Sequence, residues 1–95
     1  MKKKLYISVP ITGRPLEAAK EQAEKVKELW EVIYDVITPF DVNPVQDKPY
    51  AYYMGKDIEA LLNCDAIYMC PGWISSKGCN AEYQIAKIYG LEIFG

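Results

Sequence analysis

Short apolar runs alternate along the chain with longer stretches in which apolar residues recur every three or four positions. Four of the short runs have the length and composition of buried strands, and they lie at residues 4–9, 35–38, 66–70 and 91–94. Pro10, Pro39 and the pair Pro71-Gly72 directly follow the first three runs. Because proline cannot donate a hydrogen bond to a neighbouring strand, these residues mark the predicted strand ends.

The longer stretches predict three helices. The first begins near Leu16, with Pro15 in its first helical position, where proline is favoured. Its apolar stripe has spacings of three and four residues and consists of Leu16, Ala19, Ala23, Val26, Trp30 and Ile33. Residues 52–63 and about 80–89 have the same periodicity, and Gly90 is predicted to end the third helix.

The resulting order, β-α-β-α-β-α-β, predicts a parallel sheet with right-handed crossovers and with helices on both faces. In such sheets ligands bind beyond the carboxyl ends of the strands. Three segments follow strand ends and would meet at that edge: 10–14, 39–50 and 71–79. The second of them contains three prolines and is predicted to be a surface loop without an element of its own.

Composition bounds the class of protein. The 95 residues suit a single domain spanning 1–95, with 51% hydrophobic residues for a modest core and 25% charged residues, as in soluble proteins. A net charge of -2 gives no electrostatic case for partners such as nucleic acid or a membrane surface. The apolar run after the basic residues 1–4 is too short for a signal sequence or a membrane span, so we expect a cytoplasmic protein.

The sequence has no histidine, and its three cysteines, Cys64, Cys70 and Cys79, form no CxxC pair. An odd number of cysteines does not suit a disulfide scaffold. Without histidine, a zinc site and Ser–His or Cys–His catalysis lose their usual partners. We therefore predict no metal and no cofactor, and acid–base chemistry would fall to carboxylates, lysine, tyrosine or water.

The predicted loops bring two carboxylates, several hydroxyl groups and a cation to one edge of the sheet. Glu82 is predicted in the first turn of the third helix, where the helix dipole favours the ionised form. Gly78 is predicted to let the chain turn tightly before that helix, whose N–H groups would suit an anion or a sugar hydroxyl. Asp57 is predicted close to the N-terminal end of the second helix. The other candidates near this edge are Tyr6, Thr12, Gly13, Arg14, Ser75, Ser76 and Lys77.

Each candidate also has an ordinary structural explanation. Glu82 and Asp57 would both suit solvated acids in the first turn of a helix. Tyr6 would suit the core, where a strand tyrosine packs and finds one hydrogen bond. Ser75 and Ser76 would serve as turn caps. Arg14 would be a solvated charge, and Trp73, in the loop before the third helix, would cover the core.

Five segments carry a family resemblance: LYISVPITG at 5–13, YMGKD at 53–57, CDAI at 64–67, PGW at 71–73 and SKGCNAE at 76–82. Together and in this order, they resemble the nucleoside 2-deoxyribosyltransferase superfamily, in particular its short bacterial and phage branch. The resemblance implies a flavodoxin-like (Rossmann-like) three-layer α/β sandwich with a four-stranded parallel sheet in the order 2-1-3-4. It also implies a homo-oligomer, because members of the family pair through their helices.

The resemblance further implies cleavage or transfer of the N-glycosidic bond of a (deoxy)nucleoside or nucleoside monophosphate. Glu82 matches the family's nucleophile, Asp57 matches an aspartate that donates or orients a proton near the base, and Tyr6 matches a tyrosine near the nucleophile. Ser76 matches a serine of the monophosphate hydrolases where transferases have an aspartate, so hydrolysis is favoured over transfer. Substrate-binding positions are predicted at Ser76, Gly78, Thr12, Gly13, Arg14 and Trp73.

Two departures from the family's pattern support a second hypothesis. Pro10 and Thr12 stand where the nucleotide hydrolases have a phosphate-binding serine and arginine, and Arg14 is displaced by two residues. The family also takes a polar residue from a neighbouring subunit after its last strand, whereas this sequence stops at Gly95. The alternative is therefore a nucleotide-binding module with weak or no turnover. A purely structural domain is the third hypothesis.

Overall fold

A computed structural model describes residues 2–44 and 47–95 of the chain, and within them four strands form one parallel sheet. The strands are β1 (Lys4–Ser8), β2 (Asp35–Ile37), β3 (Ala66–Met69) and β4 (Glu92–Phe94). Their order is β2-β1-β3-β4, which confirms the predicted sheet and its strand order. β1 is central, with Tyr6 opposite Ile37 of β2 and Ile67 of β3.

Helices cover both faces of this sheet, as predicted. They are α1 (Leu16–Trp30), α2 (Pro39–Val42), α3 (Tyr50–Leu62) and α4 (Lys77–Ile88), with a 3-10 helix at Trp73–Ser75 before α4. α1 packs against β1 and β2 on one face. On the other face α4 packs against β3 and β4, and α3 lies beside α4.

Side chains of β1 alternate between two separate cores. Leu5, Ile7 and Val9 pack beneath α1 in a cluster whose buried members are all apolar. Tyr6 packs on the opposite face, beneath α3 and α4. Ser8 points the same way as Tyr6 and is fully buried. Because successive strand residues face opposite sides of a sheet, one short strand contributes apolar side chains to one core and two buried hydroxyl groups to the opposite face.

The ends of α1 differ from the prediction. Pro15 occupies the N-cap position and the helix begins at Leu16, so proline precedes the first helical residue. Ile33 is not part of the buried stripe, since the helix ends at Trp30 and 66% of Ile33 is exposed. The backbone N–H groups of Ile33 and Tyr34 both bond to the Trp30 carbonyl, and this turn packs Tyr34 on the core in place of Ile33.

The segment after β2 was predicted to be a loop, and that prediction is wrong for its first residues. Thr38 caps the helix α2: its hydroxyl accepts from the Asp41 N–H, and the Asp41 carboxylate accepts from the Thr38 N–H. Pro39 fits the first position of this helix. α3 begins at Tyr50, two residues earlier than predicted. Residues 45 and 46 of the predicted loop lie outside the described residues.

The start of α4 also differs from the prediction. The helix begins at Lys77, and Ser76 is its N-cap, with its hydroxyl accepting from the Cys79 N–H at 3.2 Å. Gly78 therefore lies inside the helix, and the residue with positive φ in this connection is Gly72, at +92°. Glu82 consequently lies in the second turn of α4 and not in the first, as the sequence had suggested.

Candidate active site

A cavity of about 520 Å³ lies at the carboxyl edge of the sheet, where the topology predicted a ligand site. The loop after β1, the start of α2, one face of α3 and the N-terminal part of α4 enclose it. Its volume is in the range of cavities that bind small molecules. The lining residues are Ile11, Thr12, Pro39, Phe40, Asn43, Tyr50, Tyr53, Met54, Asp57, Ser75, Ser76, Lys77, Gly78 and Glu82.

Glu82 is the most enclosed charged group of this cavity. Only 4% of the residue is exposed, and two hydroxyl groups of β1 hold its carboxylate. Tyr6 donates to Oε2 at 2.7 Å, and Ser8 donates to Oε1 at 2.6 Å. Tyr6 and Ser8 are two positions apart on a strand, so they face the same side and can each hold one oxygen.

These contacts divide the effects on the pKa of Glu82. Burial raises the pKa of the carboxyl group, whereas the hydrogen bonds from Ser8 and Tyr6 lower it, and the net result is a raised pKa. The sequence attributed ionisation of Glu82 to the N-terminus of the helix, but the carboxylate is one turn further along. The two hydroxyl groups of β1 provide the local stabilisation of its charge instead. Tyr6 stays a donor, because burial and the nearby Glu82 raise its pKa well above 10.0.

Asp57 supplies a second carboxyl group to the same cavity. It is the eighth residue of α3 and is 7% exposed, so it is neither near the helix start nor a solvated acid. The amide of Asn43 donates to its Oδ1 at 2.9 Å. Burial is the main reason that the pKa of Asp57 rises from 3.8 to about 7; the charge of Glu82 raises it further, and the Asn43 hydrogen bond lowers it. Asp57 can thus carry a proton near neutral pH.

The walls of the cavity are largely aromatic and apolar. Phe40 comes from α2, while Tyr50, Tyr53 and Met54 come from the first two turns of α3. Gly78 lets this part of α3 approach α4 closely. A Cβ atom at that position would lie 3.2 Å from the Tyr50 hydroxyl oxygen and 3.4 Å from the Met54 sulfur. Glycine at position 78 therefore leaves space between α3 and α4 and does not serve a tight turn.

The structure brings some predicted binding residues to the cavity and leaves others outside its lining. Thr12, Ser76 and Gly78 line it. Ser76 is also the N-cap of α4, which agrees with its structural explanation as a cap. Arg14 lies elsewhere, with its guanidinium donating to the Pro10 carbonyl at 3.1 Å and to Gln22 Oε1 at 2.6 Å.

Gly13 and Trp73 are the other two predicted binding residues that do not line the cavity. Gly13 has a φ of +84°, which glycine adopts readily, and so serves the turn after β1. Trp73 stacks on Tyr83 with their ring centroids 4.9 Å apart, and it packs on the core beneath α3 and α4. This placement agrees with a cover over the core.

Sequence reasoning missed two polar residues that contact the carboxyl groups. Ser8 could have been found, because a serine two positions after Tyr6 in an apolar strand must share its face. Asn43 could not have been found in the same way, because it follows α2 in a segment that the prolines suggested was a loop. Its contact with Asp57 depends on how α2 and α3 pack together.

Other chemistry receives no support from the described residues. In residues 2–44 and 47–95, no group of three or more histidine, cysteine or acidic side chains could hold a metal ion. The three cysteine thiols are buried, and burial raises the pKa of Cys64 to about 11 and that of Cys70 to about 12. Such thiols are poor nucleophiles near neutral pH. No helix in the described part of the chain is long and apolar enough to cross a membrane.

Comparisons with known proteins agree with this fold. Residues 3–95 match the family described as "Domain of unknown function (DUF4406)", and the chain belongs to that family. Among solved structures, a 2-desoxiribosyltransferase from Leishmania mexicana is similar, with a TM-score of 0.70 and 23% sequence identity over 96% of this chain. The chain spans 61% of the length of that protein. No curated protein matches the sequence. The structural likeness confirms the predicted flavodoxin-like fold.

Proposed function

We propose that the protein cleaves or transfers the N-glycosidic bond of a (deoxy)nucleoside or nucleoside monophosphate, with Glu82 as nucleophile and Asp57 as proton donor. One observation carries this proposal: a single cavity contains a carboxylate held by two hydroxyl groups and a second carboxyl group with a pKa of about 7. Enzymes that open glycosidic bonds need such a pair, with one acid ionised and one protonated. The likeness to a deoxyribosyltransferase supports the assignment.

The proposed reaction has two displacements. A carboxylate oxygen of Glu82 attacks the anomeric carbon, the bond to the base nitrogen breaks, and its electron pair goes to the base. Asp57 gives the leaving base its proton. Water then attacks the anomeric carbon of the glycosyl ester, Asp57 takes a proton from that water, and Glu82 is released. A second base can replace the water, in which case the reaction is a transfer.

The lining of the cavity favours a nucleoside over its monophosphate. Lys77 is the one basic side chain among the described lining residues, and ionised Glu82 offsets its charge while Asp57 is protonated. Arg14, a predicted substrate-binding residue, is bonded to Pro10 and Gln22 outside the lining. A dianionic phosphate would therefore find no excess of positive charge in the cavity, whereas the aromatic walls suit an uncharged base and sugar.

Base release tests this proposal. Wild-type protein, Glu82→Gln and the control Glu59→Gln would be incubated with a panel of nucleosides and deoxynucleoside monophosphates, with and without an acceptor base. Chromatography would measure the free base. We expect release by the wild type and by Glu59→Gln, whose glutamate is exposed on α3. The rate of base release by Glu82→Gln should be at least about 1,000-fold lower, as it is in other enzymes that lose their nucleophile.

The same compounds separate the alternatives when the midpoint temperature of thermal unfolding is also measured. A compound that raises this temperature without any base release would support the nucleotide-binding module. No change of this temperature with any compound would support a structural domain. Equal rates for the wild type and Glu82→Gln would contradict the role of Glu82 while leaving the reaction in place. Self-association of the chain stays a prediction, which the mass of the particle in solution would test.

A further inference from the structure

Ser8 has no role in the two displacements, yet its side chain touches the proposed nucleophile. We propose that Ser8 is a positioning residue: its hydroxyl holds Oε1 of Glu82 while Tyr6 holds Oε2, so that the carboxylate keeps both its orientation and its charge. This inference rests on the proposed function for its consequence in catalysis. The contact itself is independent of any reaction, and it can be tested without one.

The position of Ser8 leaves its side chain little freedom. β1 pairs with β2 through its first three residues, and Ser8 itself lies opposite Met69 of β3. Its carbonyl accepts from the Cys70 N–H at 2.9 Å, and the residue has no exposed surface. The hydroxyl oxygen lies 2.6 Å from Glu82 Oε1. A buried donor on a paired strand can hold a carboxylate at low entropic cost, because the backbone is already fixed.

Several titratable groups face Glu82 from the elements around it. β1 contributes Tyr6, α3 contributes Asp57 and Tyr50, and α4 contributes Cys79. Lys77 of α4 lines the same cavity. All except Lys77 are neutral or negative, so none of them stabilises the charge of Glu82 as a cation would. Hydroxyl donors therefore partly offset the effect of burial on the pKa of Glu82, and Ser8 is one of the two in contact.

Loss of the Ser8 hydroxyl has a direction that can be derived. The hydrogen bond favours the ionised form of Glu82, so its removal raises the pKa of that carboxyl group. The acidic limb of kcat/KM, which follows the ionised nucleophile, then moves to higher pH. The loss of a hydrogen bond to a charged group changes an equilibrium by about 10- to 100-fold. We therefore expect kcat/KM to fall by about 10- to 100-fold at pH values below the pKa of Glu82.

The experiment measures the pKa of Glu82 directly. The carboxyl carbons of glutamate would be labelled with carbon-13 and titrated by NMR, with the Glu82 signal assigned from its loss in Glu82→Gln. We expect Ser8→Ala to raise the pKa of Glu82, and Ser8→Thr, which keeps a hydroxyl, to return it towards the wild-type value. Thr38→Val is the matched control, since Thr38 is also a fully buried hydroxyl residue but caps α2.

Two results would overturn the proposal. One is an unchanged pKa of Glu82 in Ser8→Ala, and the other is an equal rise in Thr38→Val, which would indicate a general effect of lost stability. If Ser8→Ala does not fold, Ser8→Cys keeps the size with a weaker donor and should give a smaller rise in the same direction. The titration needs no turnover. If the protein releases no base, the proposed function is contradicted, but the titration still tests the role of Ser8.

Discussion

The two faces of the central strand differ in what they bury. On the α1 face, Leu5, Ile7 and Val9 contact apolar side chains. On the opposite face, Tyr6 and Ser8 hold the carboxylate of Glu82, and a second buried acid lines the adjacent cavity. Alternate residues of the short segment 5–9 therefore have different surroundings. Both faces bury apolar side chains, and on the face of the cavity burial also raises the pKa values of acids.

This difference shows where the protein can bear a polar interior. The carboxyl edge of a parallel sheet is open to solvent through the cavity, so the acids there need only partial compensation by hydroxyl and amide donors. No buried side-chain nitrogen or oxygen of the described residues lacks a hydrogen-bond partner. The α1 face instead buries apolar side chains from β1, β2, β3 and α1 in one cluster. Substitutions on the two faces should therefore separate stability from chemistry.

The largest expected effect comes from the apolar face. Ile7→Ala should lower the free energy of unfolding by about 2–5 kcal/mol, because it leaves a cavity beneath α1. Ile7→Val should cost about 0.5–1.5 kcal/mol at the same site. Urea unfolding measures both. The pKa of Glu82 should not change in the folded protein, and a shift like that of Ser8→Ala would break the comparison between the faces.

Asp57→Asn should change how stability depends on pH. A carboxyl group whose folded pKa is raised stabilises the protein below its unfolded pKa, near 3.8, and that contribution is lost as pH rises through about 7. The variant has no carboxyl group that ionises at this position, so its stability does not fall in this pH range. At pH 8 it should be more stable than the wild type by about 1–4 kcal/mol. Thermal unfolding from pH 4 to 8 measures the difference. Glu59→Gln, on an exposed part of the same helix, should keep the wild-type profile.

Tyr6→Phe removes one of the two donors to Glu82 without changing the ring. We expect unfolding at pH 7 to require about 1–3 kcal/mol less, because a buried carboxylate loses a hydrogen bond. The pKa of Glu82 should rise, as in Ser8→Ala. Tyr68→Phe is the control, since Tyr68 lies on the neighbouring strand and packs on the apolar core. If the free energy of unfolding depends on pH in the same way in both variants, the role of the Tyr6 hydroxyl as a donor to Glu82 is contradicted.

The smallest expected effect concerns Arg14. Arg14→Gln removes the partly buried hydrogen bonds of the guanidinium to Pro10 and Gln22, so the free energy of unfolding should fall by about 0.5–1.5 kcal/mol. Because Arg14 does not line the cavity, the rate of nucleoside cleavage should change by less than about threefold. Rates with a nucleoside and with its monophosphate would be compared. A selective loss of rate with the monophosphate would show that Arg14 turns towards a phosphate and would contradict this placement.

The regular elements could be predicted because they follow from local patterns. The hydrophobic pattern predicted β1 to β4 and α1, and Pro10, Pro39 and Pro71 mark the ends of the first three strands to within two residues. α2 was missed, since its capping box spans only Thr38 to Asp41 and three prolines in the segment indicated a loop. The start of α4 was misplaced because Gly78 suggested a turn, although Ser76 was the cap. Short caps compete with turn signals in sequence, and packing decides between them.

The sequence by itself predicted the parallel sheet and excluded histidine chemistry, because periodicity and composition are properties of the chain alone. The strand order was implied by the family resemblance, and the structure confirms it. Tertiary structure decided how the candidate residues meet: Tyr6 and Ser8 hold Glu82, Asn43 contacts Asp57, and Arg14 bonds outside the cavity lining. The pKa of Asp57 could not be predicted from sequence either, since it arises from burial and from the charge of Glu82. Burial and separation between elements depend on packing, and they set the chemistry of a carboxyl group.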